Sequence, residues 1–186
     1  MSQSIALRRS SLDAALLAGL LLLVPLRLML LGSTVSRTAI LFACYVTILA
    51  LSISATTKRP VVRRLHPALA IALGAAALLT STALSVPIPA RVLAITTLLL
   101  GTAAAVSEEA LFRGLLYRRF ERFGATVAVV VSAVIFAAIH IPLYGTSAWW
   151  VDLAAGLLFG WQRWATGSWG ASAATHAFAN VLAVVR

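Results

Sequence analysis

The chain has 186 residues, of which 61% are hydrophobic and 11% are charged, and its formal net charge is +10. Soluble domains are about half apolar and about a quarter charged, so this composition excludes a disordered chain, a coiled coil and an ordinary soluble enzyme. The basic residues lie in short clusters between apolar runs, which argues against nucleic-acid binding and for a membrane protein with positively charged loops. The single cysteine, Cys44, excludes an intramolecular disulfide.

Seven apolar runs follow one another along the chain. A membrane-spanning helix needs roughly 20 mostly apolar residues, and Gly, Pro or Lys-Arg breakers separate these runs. The pattern predicts an all-α fold, a polytopic transmembrane helical bundle of about seven spans. In chain order the predicted spans are Leu12–Leu31, Thr38–Ala55, Ala68–Val86, Arg91–Leu116, Ala125–Ile141, Ala148–Trp164 and Trp169–Val185.

The cationic residues predict an orientation. With the N-terminus in the cytoplasm, eleven of them fall on the cytoplasmic side, three fall outside and Arg27 lies within the first span. The positive-inside rule therefore favours a cytoplasmic N-terminus and an external C-terminus, and we expect a bacterial inner membrane and an uncleaved first span. The cytoplasmic set is Arg8, Arg9, Lys58, Arg59, Arg63, Arg64, Arg113, Arg118, Arg119, Arg122 and Arg163; the external set is Arg37, Arg91 and Arg186.

The fourth apolar run contains two adjacent carboxylates. A charged residue inside a span costs about 2.5–3.5 kcal/mol on insertion scales, so it is a functional-site hypothesis by default. Glu109 precedes Arg113 by four residues, which places the two on one helix face in the order that favours an ion pair. Glu108 points about 100° away and need not share that partner.

Two of the three histidines are also embedded in apolar runs, each at the same helical spacing from another side chain. His140 follows Phe136 by four residues, and His176 precedes Asn180 by four. Counted from the neighbouring turns at ~1.5 Å per residue, Glu108 and His140 differ in depth by about 9 Å, which a tilted or bent fourth helix could close, and His176 lies about 12 Å deep. We therefore expect these groups to meet in one cavity near mid-membrane, open toward the cytoplasm.

Three motifs occur in order: Glu-Glu-x-x-x-Arg at 108–113, Phe-x-x-x-His at 136–140 and His-x-x-x-Asn at 176–180. Together they resemble the CPBP family, the group of CAAX prenyl protease type 2 and bacteriocin-processing (abortive infection) intramembrane endopeptidases. The resemblance runs from about Val92 to the C-terminus. It predicts a CPBP-like catalytic helical core over residues 91–186, preceded by about three N-terminal scaffold spans over residues 1–90.

The resemblance implies a glutamate-dependent intramembrane protease. Glu108 and His140 would position and activate a water molecule, and His176 and Asn180 would bind the oxyanion of the scissile carbonyl. The chemistry is consistent, because a positioned carboxylate can act as a general base and an imidazole and an amide on one helix face can act as oxyanion donors. The supporting residues would be Glu109 and Arg113.

The resemblance also implies a membrane-associated peptide or protein substrate, cleaved near its membrane-embedded or C-terminal end. Eukaryotic relatives act on prenylated CAAX ends, whereas bacterial relatives are linked to bacteriocin maturation, self-immunity or C-terminal sorting signals. We expect no cofactor. Two histidines and a glutamate could hold catalytic zinc, but the His-Glu-x-x-His motif is absent, and the resemblance implies glutamate chemistry.

Other readings use the same side chains. Glu109 could form a purely structural ion pair, His140 could close a helix end, and His176 and Asn180 could join helices by hydrogen bonds. A non-catalytic membrane protein, such as a bacteriocin self-immunity or peptide-binding factor, would use them as scaffold. A small transporter would relay protons along its Glu and His side chains, although no inverted repeat is visible.

Overall fold

A computed structural model describes residues 2–29, 35–55, 62–83 and 95–185. Within these ranges the chain is all-helical, as the sequence predicts, and contains no β-strand. The helices are α1 (Ser2–Met29), α2 (Val35–Ser54), α3 (Pro67–Ala83), α4 (Ile95–Glu109), α5 (Tyr117–Phe120), α6 (Ala125–Tyr144), α7 (Trp149–Thr166) and α8 (Gly170–Val185), with a π-helical segment (Ala110–Leu116) and 3₁₀ turns (Glu121–Phe123 and Thr146–Ala148).

The described part of each predicted apolar run lies in a helix. Among the described residues, three helices are long and apolar enough to cross a membrane: Arg37–Ser54, Ile95–Phe123 and Ala125–Tyr144. Two shorter apolar helices cover Ser10–Leu23 and Pro67–Ser81. The count of seven spans stays a prediction. The positions that lie outside the described residues are the predicted span ends Leu31, Val86 and Arg91, and the loop or terminal cations Lys58, Arg59 and Arg186.

Three predicted boundaries differ from the structure: the first helix begins at Ser2 rather than near Leu12, and two helices end later than predicted. The fourth helix does not stop at Leu116 but continues without a break to Phe123, and it ends before Gly124, whose φ of 109° is unfavourable for other residues. Helix α6, the fifth predicted span, runs past Pro142 to Tyr144. A proline this close to a helix end removes only one hydrogen bond, and the chain turns at Gly145 instead, where φ is 77°.

The fourth helix changes geometry just beyond its two carboxylates. From Ala110 to Leu116 it is π-helical, and the N–H of Tyr117 reaches the carbonyl of Phe112, five residues back. This segment is fully buried. Helix α1 packs against it, because Gly19 leaves room for the side chain of Leu111. Short π segments inside α-helices are frequent at functional sites.

Helices α6 and α7 approach each other closely through small residues. A Cβ added at Gly156 would lie 2.9 Å from the Cα of Ala133, and one added at Gly160 would lie 2.9 Å from the Cγ1 of Val129. Glycines four residues apart allow such close helix packing in membranes. Helix α8 packs against α3, α4 and α7, so the later helices surround the buried end of α4.

Candidate active site

A cavity of about 370 Å³ opens between α2, α4, α6 and α8. Four predicted catalytic side chains line it: Glu108 from α4, His140 from α6, and His176 and Asn180 from α8. The remaining wall is mostly apolar. Side chains separated by up to 72 positions in the sequence therefore face one space, as the depth argument predicts.

The two adjacent carboxylates have different surroundings. The side chain of Glu108 lines the cavity, whereas Glu109 is not part of the cavity wall and is completely buried. Successive residues on a helix are rotated by about 100°, so one helix turn presents one carboxylate to the cavity and the other to the protein interior.

Glu109 is the centre of a buried polar cluster. Its Oε1 accepts a hydrogen bond from Nη1 of Arg113 at 2.9 Å and lies 3.0 Å from Nδ1 of His176. Nη2 of Arg113 donates to the carbonyl oxygen of Gly156 on α7 at 2.8 Å. Arg113 is also completely buried. His176 belongs both to this buried cluster and to the cavity wall. It therefore connects the Glu109–Arg113 ion pair to the cavity.

Aromatic rings fill the space behind the two histidines. The ring of Phe136 lies 4.4 Å from that of His140 and 5.6 Å from that of His176, measured between centroids. Phe159 stacks on His176 at 4.9 Å, with 20° between the ring planes. The guanidinium of Arg113 lies 4.7 Å from the centroid of Phe136 and 5.3 Å from that of Phe159. These contacts restrict both imidazoles to one orientation and stabilise the buried cation.

The ring of His140 is held by its own helix. Nδ1 lies 2.7 Å from the carbonyl oxygen of Phe136. Because a carbonyl only accepts hydrogen bonds, Nδ1 carries a proton, and in the neutral ring Nε2 is then the basic nitrogen. The ring of Tyr144 stacks on the other side at 5.8 Å. This arrangement suits a histidine that accepts a proton or orients a water molecule from Nε2.

Asn180 connects α8 to α4. Its Nδ2 donates to the carbonyl oxygen of Gly101 at 2.8 Å. A Cβ added at Gly101 would lie 3.5 Å from the Cβ of Asn180, an ordinary contact, so the two helices pack directly at this point. The same NH₂ group has a second N–H. Asn180 can therefore bridge the helices and still offer a donor to a molecule in the cavity.

Sequence reasoning missed three contributors to this site. Phe159 and Gly156 lie on α7, which carries none of the three motifs, and Arg163 donates from Nε to the carbonyl oxygen of Arg113 at 3.1 Å. Two signals were available. Gly156 and Gly160 have the spacing of a close helix contact, and Arg163 is a charged residue within an apolar run. The π segment has no such signal.

Metal ligation would be an alternative chemistry for these side chains. Among the described residues, no group of three or more His, Cys, Asp and Glu side chains is arranged to hold a metal ion. The cavity places Glu108 with two histidines in its wall, and a metal-free mechanism stays a prediction.

Comparison with known proteins identifies the family. The family model described as Type II CAAX prenyl endopeptidase Rce1-like matches residues 90–182, half of the chain, and that range includes all three motifs and all four cavity-lining candidates. No curated protein and no solved structure matches the chain. The family is one of proteases, and with the long apolar helices it indicates an integral membrane protein. The chain belongs to the Rce1-like family of type II CAAX prenyl endopeptidases.

Proposed function

We propose that this protein is an intramembrane endopeptidase in which Glu108 activates a water molecule to hydrolyse a peptide bond. One observation carries the proposal: Glu108, His140, His176 and Asn180 line a single cavity of about 370 Å³. A structural role for each residue separately would not require a shared cavity. The volume suffices for a peptide segment together with a water molecule.

Glu108 and His140 act on the water. The carboxylate of Glu108 takes a proton from the water as the oxygen attacks the scissile carbonyl carbon, and the proton then passes to the leaving amine. Nε2 of His140, the basic nitrogen of the ring, orients the same water. The mostly apolar wall limits competing solvent and strengthens electrostatic interactions inside the cavity.

His176 and Asn180 stabilise the negative charge that develops on the carbonyl oxygen. Nδ1 of His176 is occupied by Glu109, so the ring donates to the oxyanion from Nε2, which requires its doubly protonated form. Asn180 donates the N–H that Gly101 does not use. Loss of one such donor costs ~10²–10³ in rate in other hydrolases.

The substrate is a membrane-associated peptide or protein cleaved near its membrane-embedded or C-terminal end. Apart from the candidate residues, the described cavity wall carries no charged side chain, which favours apolar or uncharged residues beside the scissile bond. We propose seven spans with the N-terminus in the cytoplasm of a bacterial cell and the C-terminus outside.

The test compares the membrane-proteome termini of cells that express wild type, Glu108→Gln or Glu121→Gln at equal levels. Glu121→Gln is the matched control, because Glu121 lies in the turn beyond α5 and not in the cavity wall. We expect new C-termini with wild type and with Glu121→Gln, and none with Glu108→Gln. Identical termini in all three strains would overturn the proposal and favour a non-catalytic binding protein.

A further inference from the structure

The π segment changes the hydrogen bonding of one carbonyl next to the candidate site. In an α-helix the N–H of Tyr117 would donate to the carbonyl of Arg113, four residues back. Here it donates to the carbonyl of Phe112 instead. A buried carbonyl that loses its helical donor needs another one. Nε of Arg163 supplies it, 3.1 Å from the carbonyl oxygen of Arg113.

Arg163 lies beside the end of the π segment, and the carboxylate of Glu121 is its opposite charge there. It lies within α7, only 7% exposed, and its guanidinium sits 4.8 Å from the centroid of the Tyr117 ring. A cation within an apolar helix is costly unless it is satisfied. Both contacts of Arg163 are made with the region where the π segment ends and α5 begins.

Helix α7 holds Arg113 at two points. The carbonyl oxygen of Gly156 accepts a hydrogen bond from its side chain, and Arg163 donates one to its backbone. Gly156 and Arg163 are seven residues apart, close to two helical turns, so they lie on the same face of α7. The side chain of Arg113 in turn binds Glu109, which contacts His176.

We propose that Arg163 is a positioning residue that keeps this segment π-helical. A π segment accommodates one more residue than the α-helix it interrupts, so relaxation to α geometry would shift the flanking turns by one residue, about 100°. Arg113 could then no longer meet both Glu109 and Gly156, and Glu109 would lose its contact with His176. The effect on cleavage rests on the proposed function, whereas the effect on His176 does not.

The test reads His176 directly by NMR of full-length protein in lipid nanodiscs, selectively ¹⁵N-labelled at histidine. The chain has three histidines, so each signal can be assigned by single replacement. Glu109→Gln serves as the reference, because in that variant His176 no longer contacts a carboxylate. Arg163→Met removes the hydrogen-bond donor but keeps a side chain of similar length. Arg122→Met is the matched control, because Arg122 is exposed and its guanidinium lies over the ring of its neighbour Phe123.

We expect the His176 signal of Arg163→Met to move toward that of Glu109→Gln, while Arg122→Met keeps the wild-type signal. Arg163→Lys should restore the wild-type signal, since a lysine ammonium can reach the same carbonyl. An unchanged His66 signal reports an intact fold. If Arg163→Met does not accumulate, Arg163→Leu replaces it, because its apolar side chain also carries no hydrogen-bond donor. A wild-type His176 signal in Arg163→Met or Arg163→Leu overturns the proposal.

Cleavage provides a second readout on a peptide that spans a cut site found in cells. Arg163→Met should lower kcat by about 10- to 100-fold, the range that a small misplacement of catalytic groups produces, with KM within about twofold. Equal kcat for Arg163→Met and Arg122→Met overturns the positioning role. If no variant, wild type included, cleaves any peptide, the proposed function fails while the NMR result still decides the role of Arg163.

Discussion

Removing the negative charge of Glu109 should destabilise the protein more than removing both members of its ion pair. The carboxylate and the guanidinium of Arg113 are both completely buried and lie 2.9 Å apart. Glu109→Gln leaves the guanidinium with the carbonyl of Gly156, nearby aromatic rings and the electrostatic attraction of Glu108. Nε of Arg113 has no hydrogen-bond acceptor among the described residues, so no second hydrogen bond replaces the lost one.

The magnitude follows from this geometry. At 2.9 Å and an effective dielectric constant of about 20, the Coulomb attraction of the pair is ~6 kcal/mol. Burying the two ions costs several kcal/mol each, so the intact pair is close to neutral, whereas removal of one partner costs about 3–5 kcal/mol. We expect about 3 kcal/mol for Glu109→Gln, because the rings of Phe136 and Phe159 retain favourable contacts with the cation.

Equilibrium unfolding in mixed micelles, titrated with a denaturing detergent, measures these differences. The double variant Glu109→Gln/Arg113→Met should be about 1–2 kcal/mol more stable than Glu109→Gln alone, because it leaves no buried cation without its carboxylate. Asp13→Asn, which removes a partly exposed ion pair with Arg119, should change stability by less than about 1 kcal/mol. A double variant that is no more stable than Glu109→Gln would show that the unpaired cation is not the source of the loss.

Three further predictions concern packing, the oxyanion and metal dependence. Gly156→Ala should lower the free energy of unfolding by about 1–3 kcal/mol in the same titration, because its Cβ would lie 2.9 Å from the Cα of Ala133. Gly114→Ala should be tolerated, because its Cβ would lie 3.6 Å from Trp169. Equal losses of stability in the two variants would contradict this prediction. Asn180→Ala should lower kcat on a substrate peptide by ~10²–10³-fold with little change in KM. An unchanged kcat would show that Asn180 does not bind the oxyanion. Chelation of divalent metals should leave kcat/KM within about twofold, and a loss that added zinc restores would show a metal requirement.

The sequence predicts the helices well because apolar length and breaker residues are local properties. The described part of every apolar run lies in a helix, but two ends are wrong where packing decides. Leu116 does not end the fourth helix, since a buried π segment continues it. Pro142 does not end α6, the fifth predicted span, since a proline in the last turn removes a single hydrogen bond.

The candidate side chains could be found from the sequence because charged and imidazole groups are rare and costly in apolar helices. Helical spacing also predicts that Glu109 faces Arg113, and the structure contains that ion pair. Spacing within one helix cannot reveal contacts between helices. The approach of Glu109 to His176 and of Arg163 to the Arg113 carbonyl depends on how α7 and α8 pack against the π segment.

Cleavage by purified protein decides whether Glu108 activates the attacking water. Wild type, Glu108→Gln and Glu121→Gln would be reconstituted into liposomes with a peptide that spans a terminus found in cells, and cleavage would be followed by mass spectrometry. We expect Glu108→Gln to lose at least about 10³-fold in kcat while it still binds the peptide, and Glu121→Gln to match wild type. Cleavage by Glu108→Gln within about tenfold of wild type would contradict a glutamate-activated water in this cavity.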